Sequence, residues 1–354
     1  MNIERINLKV VDLLLEKPIR TAIHDMRSVG CVLVSIHADG VTGEGYCFAL
    51  NAVRIKAFAE LIRSYEPLIV GQPAHRIEGI WQNIWQSLNP MGQCGMTIGA
   101  LAAVDTALWD LQGKMLNRPL HQLFGSCRDR IKTYASGGLW LSQSIDELQA
   151  EAQQFIDQGF TSMKIRVGKP DWRDDIQRVK AVRDVVGDSI ELLTDANQVL
   201  NPKQAIRLAD ELSNYHVSWL EEPVAAHDLT GHAEVRGRVN MPIASGETVY
   251  TRYGMRDMID KQACDILMPD LQRMGGLTEM RKVAALAASY NLPISTHIFT
   301  EHSLCIAGSA PNCLSVEHMP WFSRLFCEEM VIEQGDILIP DRPGTGFTFD
   351  SQYL

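Results

Sequence analysis

Asp195, Glu221 and Glu247 each close a short apolar run (IELLTD, VSWLE, MPIASGE), and successive members stand 26 residues apart. A step of that length holds one strand and one helix. Strands joined through helices lie parallel, so their C-terminal ends, and these three carboxylates, converge on one mouth, where β/α barrels carry their chemistry. Like charges meeting there repel unless a cation separates them. Oxygen-only ligation suits a hard divalent ion, Mg²⁺ ahead of Mn²⁺ and well ahead of Zn²⁺, which would favour His or Cys. Any one of these acids alone reads more simply as a helix N-cap or a solvated strand end; the shared repeat selects the metal.

The rest of the chain divides around that repeat. Residues 3 to 15 and 31 to 38 read as two strands that continue past ADGVTGEG into YCFAL, an antiparallel start. Helical spacing then covers 52 to 68, 75 to 87 and 97 to 115, with Thr97 as an N-cap. From about Tyr134 strands and helices alternate: KTYASG, SMKIRV, IELLTD, VSWLEEP, PIASGE, DILMPDL, PISTH and CLSVEH are eight strand candidates. The predicted architecture is α/β: an N-terminal α+β domain over residues 1–125, a barrel over 126–324 and a tail over 325–354 that packs back on the first domain.

Composition narrows the function. The 354 residues carry a formal charge of −10 with no basic block to collect phosphates and no apolar run of membrane-spanning length, which argues against nucleic-acid and membrane partners. Eight scattered cysteines without a CxxC pair, and no signal-like start, point to a reducing, cytoplasmic setting. Net negative charge repels a carboxylate substrate, so local positive charge has to lie inside the site. In MKIRV, Lys164 and Arg166 share one side of a strand, while Met163, Ile165 and Val167 meet the helices on the other. Two cations inside a barrel are costly unless anions or a substrate answer them. They serve an anion-binding role, answer the metal carboxylates, or both. Asp270, His297 and Glu317 end the last three of the eight strands; Asp270 beside His297 would fix the imidazole tautomer and raise its basicity, as a general base requires.

This ordered set resembles the enolase superfamily, mandelate racemase subgroup. The resemblance runs through PIRTAIH (18–24), AAVDTALWDLQGK (102–114), DANQ (195–198), EEPVAAHD (221–228), GE (246–247), MPD with MGG (268–276) and STHIFTEHS (295–303). It implies an α+β capping domain over a modified TIM barrel, (β/α)₇β, and a homo-oligomer. It also implies one Mg²⁺ per subunit on Asp195, Glu221 and Glu247, with Mn²⁺ as a substitute. Mg²⁺ would chelate the substrate carboxylate and its α-hydroxyl, with Lys164 adding charge. His297 would be the base, oriented by Asp270, and Glu317, if protonated, would donate to the developing oxyanion.

Arg166 departs from the subgroup's racemases, which need a base on each face of the α-carbon and place a lysine here. A guanidinium keeps its proton and is a poor base. The expectation is therefore a one-base reaction, dehydration of an acid sugar to a 2-keto-3-deoxy acid. A racemase, epimerase or sugar-lactone cycloisomerase is the alternative within the superfamily, and a non-catalytic recruited protein the remote one. No GxGxxG follows the first strand, so a dinucleotide enzyme is set aside. Substrate contacts are expected from Asn197 and from the polar capping loop 20–27, where His24 or Arg27 would meet a second carboxylate, favouring an aldarate over an aldonate. Those two side chains equally suit a water-facing position.

Overall fold

The computed structural model describes residues 1–354. Strands β1 (Arg5–Arg20), β2 (Asp25–Ala38) and β3 (Val41–Leu50) form an antiparallel sheet in that order. Asp39 and Gly40 both take positive φ between β2 and β3, the two-residue turn whose twist suits a hairpin. The capping loop expected at 20–27 is half strand and half tip. β1 and β2 run to Arg20 and Asp25 and leave only a four-residue tip, and their register breaks between Leu14 and Ile19. Pro18 falls in that break, on an edge strand where its missing N–H costs no ladder bond.

Helices α1 (Ile55–Ile69), α2 (Ile77–Ser87) and α3 (Met96–Met115) cover this sheet. α3 is apolar or small nearly all round and buried along most of its length, as a central helix must be. It lies directly on β3 because Gly43 and Gly45 have no side chain there. A Cβ at Gly43 would fall 2.1 Å from the Ala107 carbonyl oxygen. Thr97 is not the N-cap: Gly95 holds that place, and the Thr97 hydroxyl turns back to the carbonyls of Gly92 and Cys94.

Eight parallel strands form the barrel: β4 (Arg130–Ala135), β5 (Ser162–Arg166), β6 (Glu191–Asp195), β7 (Val217–Glu221), β8 (Ile243–Ser245), β9 (Ile266–Leu267), β10 (Ile294–Thr296) and β11 (Cys313–His318). Pairing of Val316, Glu317 and His318 with Thr133, Tyr134 and Ala135 closes the ring. Helices fill every connection from β4 to β11, and no α-helix follows β11, only the 3₁₀ turns Ser323–Leu325 and Ser351–Tyr353. This is the (β/α)₇β arrangement. Tyr134, Leu193, Trp219, Ile266 and Met268 pack together as an apolar floor inside the barrel.

The tail makes two kinds of contact. β12 (Ile332–Glu333) and β13 (Asp336–Leu338) form a hairpin, and β13 pairs antiparallel with residues 130–132 of β4. β5 pairs with β4 only at Ala135, so the start of β4 has an edge that β13 occupies. Beyond it, Thr345 N–H donates to Asp110 and Phe349 N–H to Glu44, both in the capping domain.

Candidate active site and metal centre

Asp195 and Glu221 are the last residues of β6 and β7, and Glu247 follows β8 by two. One ligand oxygen from each lies within 4.8 Å of the others, and all three side chains are buried. Burial drives Glu221 well above the usual carboxylate range despite Lys164, and raises Glu247 as well. Carboxylates this crowded hold their charges together only with a cation present. Glu247 Oε2 is buried and accepts no hydrogen bond, and all the donors are oxygens, so the residues fit a hard divalent ion.

The surroundings orient these ligands. Asn197 donates its backbone N–H to Asp195 Oδ1 (2.8 Å) and its side-chain amide to Oδ2 (3.0 Å). Trp219 Nε1–H donates to Glu221 Oε2 (3.2 Å). Glu222, which sequence reasoning passed over, sits at φ +42° with its side chain turned away from the triad. It accepts from Gly246 N–H (2.8 Å), Ser245 and Thr248, and so fixes the turn that carries Glu247. The EE doublet was its only signal.

Lys164 Nζ stands 2.7 Å from Glu221 Oε1, 2.9 Å from Glu317 Oε1 and 3.6 Å from Asp195 Oδ2. Burial opposes its charge, but these acids outweigh burial and keep it an ammonium. Arg166 is equally enclosed. Its NH1 donates to the carbonyls of Ser136 (2.7 Å) and Gly138 (3.2 Å), NH2 donates to Ser136 Oγ (2.8 Å), and the guanidinium lies 4.2 Å over the Trp140 ring. The loop after β4 thus immobilises it. Ser136, a second residue missed, also donates to Glu317 Oε1 (2.5 Å). A lone serine in a glycine loop carries no pattern that would reveal this.

His297 follows β10. Nδ1 meets Asp270 Oδ2 at 2.8 Å, and Nε2 faces Glu247 Oε2 at 3.2 Å and Glu317 Oε2 at 3.9 Å. Burial lowers the imidazole, yet Glu247, Asp270 and Glu317 together raise it to about 9. Glu317 differs from the protonated donor expected. Burial pushes it up, but Lys164, His297 and Arg166 hold it far below the usual range, and its Oε2 accepts from Ile298 N–H (2.7 Å). Both of its oxygens act as hydrogen-bond acceptors.

The β1–β2 tip reaches this mouth. Thr21 Oγ1 accepts from His24 N–H (3.0 Å), and Ala22 lies against Gly168 in the loop after β5. His24 is exposed on the tip; partial desolvation lowers it, with Glu247 opposing and Arg273 reinforcing, so its ring still lies in the field of the site. Arg27 is exposed on β2; its N–H donates to Asn51 (2.7 Å), and its guanidinium forms no ion pair. The segment carrying Asp270 is tied to the capping domain. Gln272 bonds both main-chain groups of Phe48, Trp81 donates to the Gly275 carbonyl, and Asp105 accepts from Thr278.

A closed parallel barrel with three metal-ready acids and an Asp–His pair at its C-terminal mouth defines an enolase-type enzyme. The chain belongs to the mandelate racemase / muconate lactonizing enzyme family. The N-terminal domain profile of that family matches residues 5–125, and the profile described as enolase C-terminal domain-like matches residues 147–353. Similar curated proteins include a 3,6-anhydro-alpha-L-galactonate cycloisomerase of Streptomyces coelicolor, 34% identical over 90% of this chain and 88% of its own. An L-talarate/galactarate dehydratase of Salmonella typhimurium is 30% identical over 92% and 82%. The crystal structure of that dehydratase with Mg and L-lyxarohydroxamate superposes with a TM-score of 0.96 at 29% identity, covering 99% of this chain and 91% of the other. A racemase from Streptomyces coelicolor with bound magnesium gives 0.94 at 32%, covering 99% and 98%.

Proposed function

We propose that the protein is a Mg²⁺-dependent hydro-lyase that removes the proton α to the carboxylate of an acid sugar and releases a 2-keto-3-deoxy acid. The observation that carries this reading is the asymmetry of the mouth: an imidazole held by Asp270 on one side, a guanidinium held by Ser136 and Gly138 on the other. One side can accept a proton and the other cannot.

Mg²⁺ on Asp195, Glu221 and Glu247 would supply charge that stabilises the doubly negative enediolate left when the α-proton departs. Asp270 accepts the Nδ1–H of His297, which leaves the lone pair on Nε2, turned to the cleft. With Glu247 serving as a ligand, its support for an imidazolium would weaken and the neutral base would become accessible. Nε2 then takes the α-proton, and the C–H electron pair forms the C1–C2 double bond as the C1–O π pair moves onto the carboxylate oxygen. Lys164 holds a fixed positive charge beside that anion without reorganising. The electron pair returns to form the C2–C3 double bond as the C3–O bond breaks, and Nε2 gives its proton to the departing hydroxyl, which leaves as water. The enol product tautomerises by losing its hydroxyl proton and gaining one at C3. Acid–base transfer of this kind contributes about 10²–10⁴-fold.

Asn197 serves the site by holding Asp195, and His24 by closing the tip over it, with Arg27 placed further out on the hairpin. The two-base racemase or epimerase finds no second base in a locked Arg166. Ring-opening of a lactone or anhydro sugar uses the same base with a tethered oxygen as leaving group, and the cycloisomerase relative favours keeping it as the second reading. A cytoplasmic homo-oligomer with no nucleic-acid or membrane partner completes the proposal. All eight cysteines are unpaired and no helix is long and apolar enough to cross a membrane. Proton NMR in D₂O with Mg²⁺ and a panel of aldonates, aldarates and lactones tests the reaction. A new 3-deoxy methylene signal is expected. Loss of the α-proton signal without it would make the enzyme an epimerase, and ring opening without water loss a cycloisomerase.

A further inference from the structure

Three cations stand close to the acids of the barrel mouth, and two of them are held by partners within the chain, Arg166 leaving only its buried Nε without a hydrogen bond. Lys164 lies between Glu221 and Glu317, and both terminal nitrogens of Arg166 are taken by the loop after β4. The third, Arg273, is different. Its backbone N–H donates to Asp270 Oδ1 (2.8 Å) at the start of the short helix Leu271–Met274, but its guanidinium donates no hydrogen bond within the chain. NH1 lies 3.3 Å from Asp270 Oδ2, an oxygen already accepting from His297, and is buried without a hydrogen-bond partner. The side chain keeps 22% of its exposure, so the guanidinium is largely withdrawn from water yet open on one side. The charges of Asp270, Glu247, Tyr250 and Glu222 act on it, and its own charge acts on His24 of the hairpin tip.

Donors of a guanidinium withdrawn from water without acceptors are costly, and the matching partner is a carboxylate, which a guanidinium binds through two parallel N–H groups. The reacting carboxylate of the substrate belongs at the metal ligands and Lys164. An anion at Arg273 must therefore be a second one on the same molecule. We infer that Arg273 is a specificity-determining residue that binds the distal carboxylate of a dicarboxylic acid sugar, so that the substrate is an aldarate and not an aldonate. This rests on the dehydratase reading above and names its substrate class.

The test compares an aldarate with the aldonate that differs only in carrying CH₂OH for the distal carboxylate, using the Mg²⁺-loaded full chain as wild type, Arg273→Gln and Arg273→Lys. Wild type is expected to prefer the aldarate in kcat/KM. Arg273→Gln should reduce that preference by about 10- to 100-fold, mainly through KM, as loss of one or two charge-assisted hydrogen bonds predicts. Arg273→Lys should recover part of it, and decides the matter if the glutamine variant does not fold. Equal loss on both substrates would mean that Arg273 serves only as counterion to Asp270 and would overturn the inference, as would a wild type that dehydrates the aldonate equally well. In either case the dehydratase reading stands. A wild type that forms no 3-deoxy product from any acid sugar would sink that reading and the inference with it.

Discussion

The two flanks of the barrel mouth are built from the same kind of material and reach opposite ends. On the β10 side, a buried acid meets a ring nitrogen and nothing encloses the other nitrogen except groups that face the cleft. On the β5 side, main-chain carbonyls and a serine hydroxyl occupy the terminal nitrogens of a guanidinium stacked on Trp140. The first flank leaves Nε2 facing the cleft, where it can exchange a proton. The second removes every freedom a base would need, and also lacks the proton affinity of one. Reactivity in this fold is thus decided by what the strand-end loops leave unsatisfied, more than by which residue types reach the mouth.

The largest break in that comparison is His297→Asn. Turnover should fall by roughly 10³–10⁴ or more, while calorimetric Mg²⁺ affinity stays the same or tightens, because the imidazolium that pairs with Glu247 is gone. Appreciable remaining dehydration would place the base elsewhere. Asp270→Asn removes the acceptor that fixes Nδ1 and should cost about 10²–10⁴ in kcat, with a much smaller change in KM. Near-normal kcat would show that the tautomer is set by something other than Asp270.

Arg166→Lys sharpens the comparison from the other flank. A lysine cannot bridge Ser136 and Gly138 as the guanidinium does, and its ammonium can lose a proton. Deuterium incorporation at the α-carbon of the opposite C2 epimer should rise from the background to a measurable rate. No change in the stereochemistry of exchange would remove the main support for the one-base account.

A smaller effect lies outside the mouth. His302 is buried among Tyr46 and Phe326, neither ring nitrogen has a partner, and burial, reinforced by Lys114, depresses it to about 3. The fold holds it neutral, while the unfolded chain binds a proton below about 6.5. Its contribution is therefore complete above that pH and is lost as pH falls from about 6.5 towards 3, at up to about 1.4 kcal/mol per pH unit. His302→Phe should flatten the acid limb of Tm against pH; an unchanged slope would assign that limb to other groups.

How much of this was legible follows from where each residue's signal lies. The metal acids were legible because a strand–helix repeat imposes a period, and Asp270 with His297 because they end adjacent strands. Ser136, Glu222 and Arg273 were not. Ser136 acts from a glycine loop whose path no periodicity encodes, and Glu222 depends on a positive φ that turns it behind the triad. Arg273 depends on a one-turn helix that Asp270 itself initiates. Residue type could not give the state of Glu317, because that state is set by its distance to Lys164. In the fold, the barrel followed from alternation, whereas the reach of β1 and β2 to the tip and the β13 pairing with β4 depend on tertiary edges that a linear pattern does not show. Thr97 misled because a good capping side chain two residues from a positive-φ glycine loses that place to it.

The claim at the centre of this account is that only one face of the α-carbon meets a base. Its direct test is α-proton exchange in D₂O, followed by NMR on the Mg²⁺-loaded wild-type enzyme with each of two C2-epimeric acid sugars in turn. The account predicts exchange and dehydration of one epimer and neither for the other. Exchange of both at comparable rates would contradict it and require a second base across from His297.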